Sequence, residues 1–312
     1  MISKKEFTKL HKEISTYVHR TPVLRSKLLN GLAETEVYFK CENFQKTGSF
    51  KMRGATAAIL ALSAEEREKG VVTHSSGNFA QAVSLSAKSL GIPAYIVMPS
   101  SAPQVKKDAV KTYGGKITEC EPNIKAREEA ARRIQEDTGA TFLHPSNDLN
   151  VIYGQGTAAK EFLEEFPELD VIFTPVGGGG LLAGTALAVD FYAENCKTIG
   201  AEPFEVDDAY RSLKSGKIEF NETTNTVADG LKTHLGDKNF PIIKEQVSEI
   251  IRVEETEIIN AMKLIWERLK IIVEPSCAVA FAAVLREKEN FRGKRLGIIL
   301  SGGNVDLGNL PF

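Results

Sequence analysis

Short apolar, β-branched runs alternate along the chain with longer stretches of helical period. The runs at residues 71–73, 94–98, 116–118, 171–174, 198–200 and 296–300 predict strands, and several are apolar at successive positions. Continuous apolarity is what a parallel strand covered on both faces requires. Between them, residues 79–90, 126–137, 156–166 and 254–269 read as helices. In the last, Ile258, Met262, Ile265 and Leu269 recur at spacings of four, three and four, which gathers them on one helical face. Strand and helix alternating in this way predict an α/β architecture with mainly parallel sheets.

Composition narrows the picture. The chain has 312 residues, and at about 150 residues per domain this suggests two domains. Its 39 basic and 41 acidic side chains nearly cancel and form no basic tract, which excludes nucleic-acid binding driven by bulk charge. Cys41, Cys120, Cys196 and Cys277 lie far apart, so neither a zinc cluster nor a disulfide framework is expected. The N-terminus turns charged at once, with no secretory signal. The weakly charged stretch 171–189 is broken by Pro175 and glycines, so no membrane span is expected and the default address is cytoplasmic.

Three loops follow predicted strands. In Thr174-Pro175-Val176-Gly177-Gly178-Gly179-Gly180-Leu181, four successive glycines cost backbone entropy and so need a reason. Bare amides at a helix start, cradling a phosphate, supply one. Gly178-x-Gly180-x-x-Ala183, with Glu202 after the next strand, also fits a dinucleotide fingerprint, which keeps a nicotinamide dehydrogenase as a rival. His74-Ser75-Ser76-Gly77-Asn78 is either an N-cap or a carboxylate cradle of hydroxyls and amides. Ser301-Gly302-Gly303-Asn304 ends the last strand. Loops at the carboxyl ends of strands are where open α/β sheets bind ligands.

The segment Gln45-Lys46-Thr47-Gly48-Ser49-Phe50-Lys51-Met52-Arg53-Gly54 closely resembles the cofactor-lysine motif of fold-type II pyridoxal-phosphate enzymes, and within them the serine racemase and serine/threonine dehydratase family. The resemblance extends in order through Ser-Ser-Gly-Asn, the tetraglycine loop, Gly200-Ala201-Glu202-Pro203, Ala228-Asp229-Gly230, Val273-Glu274-Pro275 and Ser301-Gly302-Gly303-Asn304. It implies a tryptophan synthase β-like fold of two open α/β domains. A large domain would take residues 1–60 and 147–312, with the phosphate loop, and a small one 61–146, with the carboxylate loop. The cofactor would sit between them.

Residue by residue, the resemblance implies that Lys51 carries pyridoxal 5'-phosphate through its amine and acts as base at the substrate Cα. Phe50 would pack on the ring, Asn78 would bond its hydroxyl, and Ser301 would face its nitrogen. Gly177, Gly178, Gly179, Gly180 and Leu181 would hold the phosphate. Thr47, Ser75, Ser76 and Asn78 would hold the substrate carboxylate, with Ser76 the second acid/base in racemases. A hydroxyl opposite the pyridine nitrogen favours departure of a β-leaving group. The implied activity is L-threonine/L-serine ammonia-lyase chemistry, giving 2-oxobutanoate or pyruvate and ammonia. Serine or aspartate racemase and 3-hydroxyaspartate dehydratase are the alternatives, and a non-catalytic binding protein a further one.

Glu202 and Asp208, with the backbone of Val206, match a divalent-cation site (Mg, Mn or Ca) of the family. Lys46, Thr47, Gln81, Tyr113, Lys270 and Asn304 match polar positions of an effector site for ATP. The resemblance also implies a homodimer acting on a small amino acid, in the short form without a regulatory domain. One departure stands out: members usually carry histidine after Ser-x-Gly-Asn, and this chain has Phe79.

Overall fold

A computed structural model describes all 312 residues. Ten strands follow in chain order: β1 (Val23–Leu24), β2 (Glu36–Cys41), β3 (Val71–His74), β4 (Ala94–Pro99), β5 (Lys116–Cys120), β6 (Thr141–Phe142), β7 (Val171–Pro175), β8 (Lys197–Pro203), β9 (Val247–Val253) and β10 (Arg295–Leu300). The chain divides into two compact units, one of Met1–His19 and Lys51–Gly154, the other of Arg20–Phe50 and Gln155–Phe312.

The smaller unit is built on a parallel sheet of order β5-β4-β3-β6. Val71, Val72 and Thr73 of β3 are fully buried, as their unbroken apolar pattern requires. The helix Asn78–Ser89 leaves the end of β3, and its Phe79, Ala80 and Val83 share a core with Ala55, Ala58 and Ile59 of the helix Lys51–Leu60. The latter helix also packs Met52 and Ala57 against Ile14 and Val18 from the start of the chain. At Gly154 an added Cβ would stand 2.5 Å from the Ala57 Cβ and the Arg53 carbonyl, so only a bare backbone fits there. These contacts explain why the observed unit differs from the expected block 61–146. The lysine helix and the N-terminal helix Lys4–Ile14 bury their apolar faces within the smaller unit.

The larger unit carries a sheet of order β1-β2-β10-β7-β8-β9, parallel except for the antiparallel pair β1–β2. Phe39, Phe173, Ile298 and Phe281 are fully buried in its core. The helix Glu255–Leu269 turns Ile258, Met262 and Ile265 inward, the face its periodicity predicts. Strand β2 has no such clean pattern because its Lys40 is charged, yet Lys40 is fully buried. Its ammonium donates to Glu161 at 2.8 Å and to the Thr21 carbonyl at 2.7 Å. No helix is long and apolar enough to cross a membrane.

Candidate active site

The tetraglycine loop joins β7 to the helix Gly180–Tyr192, whose N-cap is Gly179 at φ +77°. The first bond of that helix runs from the Ala183 amide to the Gly179 carbonyl, so the amides of Gly180, Leu181 and Leu182 have no partner one turn back. A Cβ on Gly177 would stand 2.8 Å from the Leu231 Cα, and one on Gly179 2.5 Å from the Leu235 Cδ2. The glycines are therefore demanded by close packing and, at Gly179, by the left-handed backbone. What results is a buried helix start with amide donors that have no partner in the helix, and a favourable dipole.

Residues 46–50 are knitted to the loop after β10. Phe50 donates its amide to the Ser301 carbonyl at 3.0 Å, Gly303 to the Gly48 carbonyl at 2.9 Å, and the Asn304 side chain to the Thr47 carbonyl at 2.7 Å. Thr47, Phe50, Ser301 and Asn304 are thus brought together within the larger unit. Thr47 sits at φ +61°, left-handed for a β-branched residue, and its hydroxyl and that of Ser49 are buried without hydrogen-bond partners. Strain and unmet donors in one short segment mark a place where a ligand is expected. Glu274 lies beside this loop: its Oε1 is 2.7 Å from where a Gly302 Cβ would stand.

Lys51 opens the helix Lys51–Leu60 in the smaller unit, half-buried. Its Nζ donates to the Pro145 carbonyl at 2.8 Å and lies 5.8 Å from the centroid of the buried Phe79 ring. In the same unit, Ser75, Ser76 and Asn78 are half-buried at the start of the helix Asn78–Ser89, where Gly77 provides no side-chain cap. The Gly77 amide is met only at 3.4 Å by the Ser75 hydroxyl, so this second helix start also presents donors to an anion.

Two fully buried carboxylates lie at the end of β8 and just after it. Glu202 accepts from the amides of Ala209 (3.2 Å) and Tyr210 (2.9 Å), and Asp208 from the Asn221 side chain and, at 3.3 Å, the Leu235 amide. Neither makes an ion pair. Burial, then the charge of Asp208, raises the Glu202 carboxyl well above its usual range, and burial pushes Asp208 up to about 6.

A family model described as pyridoxal-phosphate dependent enzyme matches residues 14–302. This chain belongs to that family. A beta-hydroxyaspartate dehydratase of Paracoccus denitrificans is 49% identical over 97% of this chain and 96% of its own. The crystal structure of serine racemase from Dictyostelium discoideum superimposes with a TM-score of 0.94 at 50% identity, covering 98% of this chain and 99% of that one. A T.th. threonine deaminase does so at 0.93 and 42%, with 98% and 99% covered. The fold is that of fold-type II pyridoxal-phosphate enzymes, with the mainly parallel α/β sheets expected from the sequence.

The residues fit the family's cofactor: an uncapped, buried helix start for a phosphate, and a half-buried primary amine flanked by an aromatic ring. The nicotinamide reading falls, since Glu202 is buried against the amides of Ala209 and Tyr210. No group of three His, Cys, Asp or Glu side chains is placed to hold a metal ion, so any cation at Glu202 and Asp208 needs carbonyl or water ligands as well. Of the expected nucleotide positions, Lys270 and Asn304 line one cavity of about 340 Å³ together with Gly48. Lys46 and Thr47 belong to the same unit, and Gln81 and Tyr113 to the smaller one.

Sequence reasoning missed four participants. Ser49 and Glu274 lie inside quoted motifs but carry no signal of their own. The Pro145 carbonyl could not be read from residue type, because any residue supplies one. Asn239, whose side chain reaches the tetraglycine loop, is distant in sequence and lies in no periodic pattern.

Proposed function

We propose that this pyridoxal-phosphate enzyme is an ammonia-lyase of β-hydroxy amino acids, with L-threonine and L-serine as substrates. Pyridoxal phosphate, when bound, supplies an electron sink for charge developing at the amino-acid Cα. Lys51 Nζ is the amine that would hold the cofactor aldehyde, and in its free form it would accept the substrate Cα proton. The amides of residues 177–181 would hold the phosphate, with Phe50 packing on the ring, Asn78 meeting its hydroxyl and Ser301 its nitrogen. Thr47, Ser75 and Ser76 would orient the substrate carboxylate, and the Cβ hydroxyl would depart as water with the proton that Lys51 took from Cα. The resulting enamine hydrolyses to a ketoacid and ammonia.

The observation that carries elimination over racemisation is the state of the second acid/base candidate. Ser76 makes no hydrogen bond to a base, and its neighbour Phe79 is buried and offers no proton. Elimination needs only the lysine side; inversion needs a proton donor on the other face. Racemase side activity is a second reading, supported by the 50% identity to the Dictyostelium serine racemase. The Paracoccus relative likewise supports 3-hydroxyaspartate as a competing substrate. A divalent cation at Glu202, Asp208 and the Val206 carbonyl is supported by two buried carboxylates, the charge of one acting on the other, that make no ion pair. An effector nucleotide is supported by the cavity at Lys270 and Asn304.

The test is a panel of L-serine, D-serine, L-threonine and 3-hydroxyaspartate, with ketoacid and D-amino acid measured together. Ketoacid in excess from L-threonine and L-serine is expected. D-serine exceeding pyruvate would overturn the reading in favour of a racemase, and turnover confined to 3-hydroxyaspartate would reassign the substrate.

A further inference from the structure

Asn239 stands where a helix begins and does not cap it. It directly precedes the helix Phe240–Gln246, its backbone is already helical (φ −90°, ψ −31°), and its side chain makes no capping bond. Asparagine at such a position ordinarily accepts from the amides of its own helix. Here its Nδ2 instead donates to the Gly178 carbonyl at 2.8 Å, while its Oδ1 accepts from the Gly236 amide at 3.1 Å. The residue is fully buried. A Cβ on Gly179 would stand 2.9 Å from the Asn239 Oδ1 and 2.5 Å from the Leu235 Cδ2, so the segment 235–239 lies directly against the tetraglycine loop.

The bond to Gly178 has a geometric consequence. The Gly178 carbonyl and the Gly179 amide belong to one planar trans peptide, so fixing the C=O toward Asn239 turns the N–H the opposite way. One side chain thereby orients an amide of the anion cradle. At the other end of the segment, the Leu235 amide donates to Asp208 at 3.3 Å, one of the two buried carboxylates.

We propose that the segment 235–239 couples the Glu202–Asp208 pair to the tetraglycine loop, with Asn239 as the positioning residue. A divalent cation between the carboxylates fixes Asp208, which fixes the Leu235 amide and, through Asn239, the plane of the Gly178–Gly179 peptide. The inference rests on the cofactor and cation readings given above. Linkage then makes it reciprocal: the cation tightens the hold on phosphate, and phosphate tightens the hold on the cation by the same factor.

The probe is deoxypyridoxine 5'-phosphate, which has the cofactor's phosphate and no aldehyde, so its binding is independent of the Lys51 amine. Its Kd is measured by calorimetry on the apo-protein in chelator and in excess Mg²⁺. The wild type is expected to tighten about fivefold or more with Mg²⁺. Asn239→Asp keeps an acceptor for Gly236 but loses the donor to Gly178. It is expected to bind the analogue more weakly and to respond less than about twofold, while Mg²⁺ still raises its Tm. A merely structural role would lower Tm and leave the Mg²⁺ response intact. Should Asn239→Asp not fold, Asn239→Ala carries the same test by removing the donor to Gly178 outright. A variant that keeps the full response overturns the proposal, and so does a wild type whose Tm rises with Mg²⁺ while Kd stays put. A wild type whose Tm ignores Mg²⁺, Mn²⁺ and Ca²⁺ removes the cation and the coupling together, leaving the cofactor reading standing.

Discussion

Gly179→Ala isolates the demand that the phosphate loop makes on its sequence. The residue sits at φ +77°, where an L side chain costs about 1–2 kcal/mol. The added methyl would also meet the Leu235 Cδ2 at 2.5 Å and the Asn239 Oδ1 at 2.9 Å. The leucine end can rotate away. Asn239 cannot easily follow, because its side chain is tied at both ends, to Gly178 and to Gly236. Overpacking of this kind adds about 1–3 kcal/mol. The sum predicts a loss of about 2–5 kcal/mol in urea unfolding of the apo-protein. Affinity for pyridoxal phosphate should fall as well, because the displaced peptide plane carries a cradle amide. Gly293→Ala is the control: it has a similar φ of +75° but no neighbour within 4 Å, so it should show the backbone cost alone. Equal losses in the two variants, with cofactor affinity unchanged in both, would refute the packing argument.

Glu161→Gln removes the carboxylate facing the fully buried Lys40 ammonium and should cost about 3–5 kcal/mol by urea titration; a loss below about 1 kcal/mol would contradict the pairing. Asp208 holds its proton more tightly when folded than unfolded, since burial pushes it up to about 6. Stability of the cation-free protein should therefore be highest below about pH 4 as far as this group is concerned. It should fall as pH rises through about 6, by about 3 kcal/mol relative to Asp208→Asn. Excess Mg²⁺ should restore that loss at neutral pH, and a pH-independent difference between the two proteins would dismiss the effect. Phe79→His places an imidazole about 6 Å from the Lys51 amine, estimated from the ring that now stands 5.8 Å away. The D-serine-to-pyruvate ratio should then become pH-dependent across the imidazole range, and a ratio unchanged at every pH would show that position 79 takes no part.

Much of the architecture was legible because parallel strands leave a continuous apolar record. β3, β4, β7, β8 and β10 were read from it to within a few residues. β2 and β9 were not, since β2 hides a buried ion pair and β9 has Ser248, Glu249 and Arg252 interrupting its apolar positions irregularly. The helix Pro275–Arg286 went unread for the opposite reason: Cys277, Ala278, Val279, Ala280 and Phe281 are buried all round, so no face differs from another. The compact units divide the chain differently from the expected blocks because Lys51–Leu60 reveals its packing partners only in three dimensions. At the site, glycine and lysine motifs were visible because close backbone approach and an amine each leave a residue-type signature. The Pro145 carbonyl and the turn of Asn239 toward Gly178 leave none.

The central claim is that Lys51 carries the cofactor. Borohydride reduction of the yellow holoenzyme, followed by peptide mass spectrometry, tests it most directly. A phosphopyridoxyl mass is expected on Lys51, and both that adduct and the ketoacid activity should be lost in Lys51→Ala. The adduct on another lysine, or turnover surviving in Lys51→Ala, would contradict it.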